Sequence, residues 1–457
     1  MSAEPMAASI DRAAPCAPSD AAAFIARALD RAAGALVHVT VPAPVAPPEA
    51  LLAIAPAEPA VLWAPPDGPA FAGVGIAAEL DATASRADAA ALWRRVATIA
   101  LSDAPPRPRM FGGMAFAPGA ARRGAWAPFG DGRFVLPRWR YAVAGDRAWL
   151  TLAGVRPGAD APARAADLLR ALARAGDRGR PAASAPRVRR IDALPRELWR
   201  AQIDAIRAAI ASGAVDKIVA ARCTAVDLDA PADAAGVLSR LRARYPDCFR
   251  FAFRFDGATF AGASPERLIA RDGRHIATQA LAGSIDADSR PDAGDALRAS
   301  SKDQSEHGYV VRAITDALAP LCARLNVSAE PEICTLRHLL HLRTPIRGTL
   351  AGPHHVLDLV AALHPTPAVG GVPTADAVQW ICAHEPAPRG WYAGPVGWFD
   401  SAGDGDFAVA LRSGLLAGHR AFLYAGAGIV AASDADAEYA ETDLKQRPLL
   451  EALGVDA

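Results

Sequence analysis

Two glutamates and a lysine near the carboxyl end of the chain have a spacing that could support metal chemistry. Glu438, Glu441 and Lys445 lie at i, i+3 and i+7 within residues 435–453, which we predict to be helical. On a helix this spacing places the three side chains on one face over two turns. Adjacent carboxylates repel each other unless a cation joins them, so the pattern favours a hard divalent ion there, with Lys445 reaching a second anion. A solvated helix face with a Glu441–Lys445 pair is the alternative that spacing leaves open.

Lysine is scarce in this chain. Lysine and arginine together number 49, and only Lys217, Lys302 and Lys445 are lysines. The composition indicates that arginine is used wherever a positive charge is sufficient. A remaining lysine is a candidate for a role that arginine cannot fill, because lysine can lose its proton and carries a compact point charge. Composition therefore marks these three residues as candidates for chemistry.

Three further residues could carry chemistry, each with a structural alternative. Lys217 opens a predicted buried strand, residues 218–221, where desolvation would lower its pKa and suit a general base; a lysine extending to solvent is the alternative. Glu306 falls on the apolar stripe of a helix predicted over residues 299–323, so it needs a metal ion or a cationic partner. Arg412 projects from a face of small residues in a strand predicted over 407–415, which suits a carboxylate ligand or an ordinary solvent-facing arginine.

Runs of small residues would let a ligand approach the backbone. Residues 280–284 (ALAGS) follow a predicted hairpin, and residues 425–428 (AGAG) lie in a strand predicted over 421–430. Neither run carries bulky side chains apart from one leucine, so backbone N–H groups there can meet an anion. Glu266 lies at a strand junction just before the first of these runs.

The rest of the chain predicts the elements that position these residues. Residues 1–20 are rich in alanine, proline and serine and are expected to be disordered. Residues 21–180 predict an N-terminal α+β region, with helices over 20–33, 85–101 (N-capped by Ser85) and 160–175, and strands over 35–41, 60–63, 70–76, 109–116, 133–141 and 148–153. A linker is predicted at 176–186. Residues 190–455 are expected to form the catalytic region. Within it, a strand is predicted over 391–399, and Pro448 is expected to end or kink the last helix.

Composition narrows the class of protein. The 49 basic residues balance 49 acidic ones, so no nucleic-acid or membrane-surface partner is expected. The six cysteines are scattered without metal-ligand spacing, as in a reducing compartment. There is no signal-peptide pattern and no apolar run of about 18 residues. We expect a cytoplasmic protein.

Ten short motifs in the second half of the chain together resemble the chorismate-utilising enzymes. That family includes isochorismate synthases, salicylate synthases and the large subunits of anthranilate and aminodeoxychorismate synthases. The motifs are KIV at 217–219, SPERL at 264–268, LAGS at 281–284, KD–EH at 302–307, HLLHL at 338–342, HPTP at 364–367, GPVGW at 394–398, LR at 411–412, AGAGI at 425–429, and Glu438 and Glu441-Thr442 with Lys445. They occur in the family's order, and all three lysines lie inside them.

The resemblance implies an α+β fold in which helices wrap antiparallel sheets around a central cleft. It also implies a chorismate substrate and a Mg²⁺ cofactor. Glu306 and Glu441 would be the main metal ligands, with Glu438 close by. Lys217 would activate water at C2 of chorismate, and Glu266 would protonate the departing C4 hydroxyl. The residues that would bind substrate are Gly283, Ser284, His341, Thr366, Tyr392, Arg412, Gly426, Gly428 and Lys445.

Two positions bear on which reaction the resemblance implies. Ala282 stands where aminodeoxychorismate synthases carry a lysine nucleophile, and the Leu-Ala-Arg-Asn-Asp string of ammonia-using members is missing from residues 313–318. Ser284, where salicylate synthases more often carry threonine, is most similar to isochorismate synthases. We therefore expect an isochorismate synthase that acts as a monomer without a glutaminase partner. Alternatives are a salicylate synthase, which would also eliminate pyruvate, an anthranilate synthase-type subunit and a catalytically silent binding protein.

Overall fold

The computed structural model of the protein describes residues 16–31, 36–81, 86–101, 106–155, 157–178, 185–287 and 290–455. In these ranges the helices are α1 Pro18–Arg31, α2 Glu49–Ile54, α3 Arg86–Arg94, α4 Ala161–Arg178, α5 Arg196–Ala211, α6 Ala234–Arg244, α7 Ala293–Ala299, α8 Ser301–Leu318, α9 Val356–Leu363, α10 Thr374–His384 and α11 Ala435–Ala452. The first strands are β1 Leu36–Ala43, β2 Ala60–Ala64, β3 Ala70–Asp81, β4 Val96–Ala100, β5 Arg109–Met114, β6 Gly132–Ala144, β7 Arg147–Val155, β8 Val188–Asp192, β9 Lys217–Leu228, β10 Phe249–Phe255 and β11 Ala258–Ser264. The remaining strands are β12 Arg267–Asp272, β13 His275–Asp286, β14 Cys322–Val327, β15 Glu332–Thr335, β16 Leu339–Leu350, β17 Gly371–Val372, β18 Pro395–Asp400, β19 Gly405–Val409, β20 Ser413–Ala417 and β21 Arg420–Ile429.

The strands form one hydrogen-bonded sheet in which two long branches and one short arm, β6–β7–β1–β4, meet at β6. One branch runs β6–β3–β2–β10–β11–β20–β21–β9, and the other runs β6–β5–β18–β19–β12–β13–β16. Among the described strands, pairing is antiparallel except between β1 and β4. This architecture confirms the predicted α+β class with antiparallel sheets and helices.

The main hydrophobic core takes side chains from both branches. The ring of Phe253 on β10 lies 5.6 Å from that of Trp391, just before β18, and Phe134 on β6 lies 6.1 Å from Phe407 on β19. A second cluster packs helices such as α1 and α4 onto β1, β6 and β7. Burial of this apolar surface supplies most of the driving force that holds the two branches together. No helix in the described ranges is both long and apolar enough to cross a membrane.

Strands from the first part of the chain pair directly with strands of the second. Trp63 on β2 lies opposite Phe251 on β10, and Gly112 on β5 lies opposite Gly397 on β18. The close approach at Gly112 requires glycine, because a Cβ there would lie 1.9 Å from the carbonyl oxygen of Arg133. The linker predicted at 176–186 is wrong at its start, because α4 continues to Arg178; residues 179–184 lie outside the described residues. The division into regions 21–180 and 190–455 stays a prediction.

The helix predicted over residues 85–101 is wrong in its second half. The helix ends at Arg94, and Val96–Ala100 form β4, which pairs in parallel with β1. Val96, Thr98 and Ile99 are β-branched, and such residues favour a strand when a partner edge is available. The predicted N-cap, Ser85, lies outside the described residues, as do residues 1–15 of the segment expected to be disordered.

Near the C-terminus, the start of one predicted strand is wrong, and of the two effects predicted for Pro448 the helix end is wrong and the kink stays a prediction. The strand predicted over 391–399 begins only at Pro395, because residues 391–394 form a tight turn in which Gly394 N–H bonds the Trp391 carbonyl. Pro448 does not end α11, which continues to Ala452. Leu449 and Ala452 are buried against α6 and β21, and this packing offsets the hydrogen bond that the proline cannot make.

Candidate active site

A cleft lies where β9, β13 and β21 meet helices α8 and α11. Its cavity volume is about 150 Å³, or about 780 Å³ when all the space up to the open mouth is counted. Eleven of the residues predicted to act line it: Glu266, Gly283, Ser284, Glu306, His341, Arg412, Gly426, Gly428, Glu438, Glu441 and Lys445. Residues separated by up to 179 positions in the sequence are thus brought to one place, from Glu266 to Lys445.

Helix α11 presents the predicted acidic face to the cleft. Asp434 caps the helix by accepting a hydrogen bond from Ala437 N–H, and the helical spacing then places Glu438, Glu441 and Lys445 on the cleft side. The alternative of a fully solvated face is excluded, because Glu438 is 3% exposed. The structure confirms that these three residues lie on one side of a helix. Their roles stay predictions.

Each of the three carboxylates predicted to bind metal is paired with one of the three lysines. Lys217 Nζ lies 2.7 Å from Glu306 Oε1, Lys302 Nζ lies 3.0 Å from Glu438 Oε1, and Lys445 Nζ lies 2.5 Å from Glu441 Oε1. Carboxylates that are crowded together in a partly buried cleft need such neutralisation. All three lysines of this lysine-poor chain thus pair with glutamates at one site.

The two glutamates of α11 differ in their electrostatic environment. Burial raises the pKa of Glu438, and the neighbouring Glu441 carboxylate raises it further, against the effect of Lys302. Burial also acts on Glu441, but the Lys445 ammonium and the Ser284 hydroxyl hold the pKa of Glu441 below its ordinary value. Glu441 is therefore the more firmly ionised of the pair, and Glu438 is the one that a further cation would stabilise.

Glu306 is placed on α8 beside the buried stripe, not on it. The predicted helix over 299–323 is interrupted at Ser300, whose side chain caps α8 by accepting from Asp303 N–H, and α8 ends at Leu318. The residues of α8 that are buried are His307, Val310, Ile314 and Leu318. The helix thus aims Glu306 into the cleft, where its side chain is 17% exposed.

Lys217 is fully buried at the start of β9. Its side chain is 0% exposed, which excludes the alternative of a lysine that extends into solvent. Gly428 on the neighbouring strand makes room for it: a Cβ at Gly428 would lie 2.8 Å from Lys217 Cε and 2.5 Å from Glu306 Oε1. Any side chain at position 428 would therefore disturb the Lys217–Glu306 pair.

Glu266 lies at the junction between β11 and β12 and is 3% exposed. Its backbone N–H donates to Ser264 Oγ, and Ser264 in turn donates to the Val409 carbonyl, which fixes the junction. Burial raises the pKa of Glu266 to about 8, although Arg412, Lys217 and Lys445 act to lower it. At neutral pH Glu266 is thus a protonated acid, able to donate a proton into the cleft.

Arg412 lies at a break between two strands. The single strand predicted over 407–415 is wrong: β19 ends at Val409, β20 begins at Ser413, and Arg412 has φ of +48°. The break exists because β19 pairs with β12 and β18 in one branch, whereas β20 pairs with β11 and β21 in the other. The side chain of Arg412 reaches the cleft from this crossing point and is buried, not solvent-facing.

His341 orients Arg412. The Nδ1 atom of His341 lies 3.1 Å from the Gly283 carbonyl, and its Nε2 atom lies 3.1 Å from Nη2 of Arg412. A carbonyl only accepts and a guanidinium only donates, so Nδ1 carries the proton and Nε2 accepts. Burial lowers the pKa of His341 to about 3, and Arg412 and Lys445 lower it as well, which agrees with a neutral ring. Gly283 has φ of +75° at a bulge in β13, a conformation that favours glycine.

The glycines of β21 leave backbone N–H groups free for a ligand. Gly426 and Gly428 lie opposite Ala221 and Val219 of β9, whose own N–H groups donate outside this strand pair. In an antiparallel ladder, opposite residues exchange both hydrogen bonds or neither, so the two glycine N–H groups point away from β9. On that side β20 pairs with β21 only as far as Leu423 among the described residues. The edge is therefore open towards the cleft, as the glycine run predicted.

Two of the residues predicted to bind substrate do not line the cleft. Tyr392 is not among the lining residues, although its hydroxyl lies 3.2 Å from the position that a Cβ on Gly426 would take. Burial raises the pKa of Tyr392 to about 12, so it stays a neutral phenol. Thr366 is buried in the loop before Gly370, and its hydroxyl has no hydrogen-bond partner in the described structure. Direct contact of either residue with a ligand stays a prediction.

Two charged residues outside the predicted set of site residues also line the cleft. They are Lys302, the partner of Glu438, and Asp303 at the start of α8. Burial raises the pKa of Asp303, and the Glu306 and Glu441 carboxylates add to the effect. The scarcity of lysine points to Lys302, but only the folded structure identifies its partner on α11.

The chemistry of the cleft fits a hard divalent cation. Glu306, Glu438 and Glu441 supply the carboxylate oxygens that Mg²⁺ prefers, and the raised pKa of buried Glu438 indicates unmet demand for positive charge. In the described residues no three acidic, histidine or cysteine side chains are close enough to hold an ion as they stand, and each of the three glutamates is paired with a lysine. A metal ion would have to compete with these ion pairs.

Comparison with known proteins places these features in a family. Residues 23–454 match the family model described as chorismate binding enzyme. The salicylate biosynthesis isochorismate synthase of Pseudomonas aeruginosa is 39% identical over 369 residues, which cover 79% of this chain and 77% of the relative. The isochorismate synthase MenF of Bacillus subtilis is 37% identical over 360 residues, covering 76% of this chain and 75% of the relative.

Solved structures agree with the sequence comparison. The structure of MenF, the menaquinone-specific isochorismate synthase of Escherichia coli, covers 96% of this chain and 100% of its own at 28% identity, with a TM-score of 0.79. Anthranilate synthase component I of Streptococcus pneumoniae shares the fold, with a TM-score of 0.66 at 19% identity over 86% of this chain and 92% of its own.

Proposed function

Because the chain belongs to the family of chorismate binding enzymes, we propose that it is an isochorismate synthase, an isomerase that converts chorismate into isochorismate. In this reaction water adds at C2 of chorismate, the double bonds shift, and the C4 hydroxyl leaves as water. The observation that carries the proposal is the cleft itself, which holds a buried lysine and a protonated glutamic acid beside a group of carboxylates. Relatives named isochorismate synthase at 37–40% identity support it.

The charge balance of the cleft supports a dianionic substrate that arrives with a divalent cation. With Glu266 neutral and Lys217 still an ammonium, four cationic side chains balance four carboxylates. Lys302, Lys445 and Arg412 line the cleft and Lys217 is buried against Glu306, and the carboxylates are those of Asp303, Glu306, Glu438 and Glu441. Chorismate carries two carboxylates. A divalent cation and this substrate together leave the sum of charges unchanged, whereas either one alone would leave two charges uncompensated in a partly buried site.

Glu306, Glu438 and Glu441 are the residues that would hold Mg²⁺. When bound there, Mg²⁺ would supply positive charge for a substrate carboxylate. The chain's own groups would hold the other substrate carboxylate: Arg412, fixed by His341, offers a planar pair of donors, and the glycine N–H groups of β21 offer two more. Lys445, which donates to the Gly426 carbonyl at 2.9 Å, would fix the position of that strand edge beside the ligand.

Two side chains of opposite acid–base character would move the protons. Lys217 would act as the neutral amine, after its ammonium beside Glu306 has released a proton to solvent, and would accept the proton of the water that attacks C2. Glu266, protonated at neutral pH because burial raises its pKa to about 8, would protonate the C4 hydroxyl as it leaves. Both side chains are buried, which limits access of bulk water to the reacting carbons.

The alternatives lack a specific supporting observation. An amine nucleophile is absent from position 282, which is alanine in the cleft wall, and this disfavours the aminodeoxychorismate reaction. The likeness to anthranilate synthase component I concerns the fold alone. Relatives named for menaquinone and for salicylate biosynthesis are both isochorismate synthases, so isochorismate formation is the shared step. A monomer without a glutaminase partner, and a region 21–180 that completes the fold around the catalytic region 190–455, complete the proposal.

Product analysis tests the proposed function. Purified protein with chorismate and Mg²⁺ should give isochorismate, with no pyruvate and no requirement for ammonium, and EDTA should abolish the product. Chromatography of samples taken with and without EDTA, and with and without ammonium, measures this. Salicylate with pyruvate would assign the chain to salicylate synthases, and an aminobenzoate formed only with ammonium would assign it to the amine-transferring members.

A further inference from the structure

The three lysines of the chain differ in how easily each could leave its carboxylate. The side chain of Lys217 is 0% exposed and that of Lys445 is 13% exposed, whereas that of Lys302 is 45% exposed. Lys445 is further held by the Gly426 carbonyl. A buried ammonium that leaves its carboxylate has neither water nor a counter-ion around it, which is costly. An ammonium at the mouth of a cleft is solvated by water as soon as it leaves.

Glu438, the partner of Lys302, is the carboxylate that most needs a cation. It is 3% exposed, and the ionised Glu441 lies one turn away on the same helix. Lys302 Nζ lies 3.0 Å from Glu438 Oε1, the separation of a charge-assisted hydrogen bond between an ammonium and a carboxylate. The ammonium is therefore charged, and it neutralises Glu438 as long as no metal ion is bound.

We propose that Lys302 is a displaceable counter-ion of Glu438, which holds this carboxylate while the cleft is empty and moves into solvent when a divalent cation binds. The inference rests on the proposed magnesium site. It assigns to Lys302 a positioning role, since the residue would act on the metal ligand and not on the substrate. Lys217 and Lys445 keep their partners in both states because they are buried.

The role of Lys302 has a consequence for affinity that distinguishes it from simple structural support. A group that competes with a ligand lowers the affinity of the site, so its removal must raise affinity by the strength of the lost pair. A group that merely shapes the site has the opposite effect, because its removal loosens Glu438 and weakens metal binding. Lys302→Gln therefore separates the two roles by the sign of one measurement.

The first test is calorimetric titration of MgCl₂ into the metal-free full-length protein without chorismate. Lys302→Gln should bind Mg²⁺ about threefold to tenfold more tightly than wild type, as expected for loss of a half-exposed ion pair. Its melting temperature in EDTA should fall, because Glu438 is left buried beside Glu441. Lys302→Arg, which keeps the positive charge, should bind no more tightly than wild type. Arg312→Gln, on the same helix, removes one charge away from the cleft and should change neither quantity.

The second test uses the wild-type protein and so does not depend on the folding of a variant. Acetylation by a neutral succinimidyl ester, followed by peptide mass spectrometry, gives a labelling rate for each of the three lysines. Mg²⁺ should raise the rate at Lys302 several-fold relative to EDTA, while Lys217 and Lys445 stay slow in both conditions.

The outcomes separate this inference from the proposed function. Wild type that binds Mg²⁺, with equal or weaker binding in Lys302→Gln or with an unchanged labelling rate at Lys302, would overturn the displacement of Lys302 and leave the metal site intact. Wild type that binds no Mg²⁺ would overturn both the inference and the proposed metal site.

Discussion

Replacing Lys217 by methionine is expected to lower kcat for isochorismate formation by about 10²- to 10⁴-fold, the usual contribution of a general base. Methionine keeps much of the volume of the buried side chain but removes the amine that would accept the proton from water. KM should change little, because the residues proposed to hold the carboxylates are untouched. Steady-state kinetics at saturating Mg²⁺ would measure both constants.

The control for this variant must be an arginine, since the chain has no lysine outside the cleft. Arg207→Met, at a half-exposed position on α5, removes one positive charge and should leave kcat unchanged. Mg²⁺ binding by Lys217→Met should persist, since Glu306 loses only a competing ammonium. A variant with normal kcat and a raised KM would mean that Lys217 binds substrate and is not the base.

Glu266→Gln is expected to lose kcat by a comparable factor, because an amide cannot protonate the departing C4 hydroxyl. In wild type the acid must carry its proton, so kcat/KM should fall as the pH rises above about 8, the value to which burial raises the pKa of Glu266. The pH profile of kcat/KM from pH 6 to 9.5 measures this limb. Retention of activity in Glu266→Gln would assign the proton donor elsewhere.

Glu266→Gln should be more stable than wild type at alkaline pH. Between the unfolded pKa of about 4.5 and the folded value of about 8, the folded wild type holds a proton that the unfolded chain has released. The free energy of unfolding of wild type therefore declines through this window as pH rises, and glutamine does not titrate. Denaturant melts should show Glu266→Gln more stable than wild type at pH 8.5 and the two nearly equal near pH 4.5. Glu330→Gln, at an exposed position, should show no such pH-dependent difference.

Sequence periodicity predicts the parts of the site that are local. The spacing of Glu438, Glu441 and Lys445 needs only a helix to place them together, and α11 provides it. The glycines of β21 likewise need only a strand with an open edge. The scarcity of lysine, a property of composition alone, singles out all three ammonium groups of the cleft.

The parts that local patterns do not predict depend on which elements meet. Lys217 and Glu306 are 89 residues apart and Lys302 and Glu438 are 136 apart, so their pairing depends on where the fold places α8 relative to β9 and α11. The pattern around Arg412 predicts a continuous strand because nothing in it shows that β19 and β20 join different branches of the sheet. Residues 96–100 likewise fit a helix in the local pattern, because the partner of β4 is β1, which lies far back in the chain.

The most direct test of the proposed water displacement is the origin of the oxygen at C2 of the product. Chorismate should be incubated with the protein and Mg²⁺ in H₂¹⁸O, and isochorismate collected at low conversion for mass spectrometry. Attack by water predicts one ¹⁸O atom per isochorismate, located at C2, and EDTA or Lys217→Met should prevent its formation. Isochorismate without ¹⁸O would show that the C4 hydroxyl itself moves to C2, and it would contradict the assignment of Lys217 and Glu266 as base and acid of a water displacement.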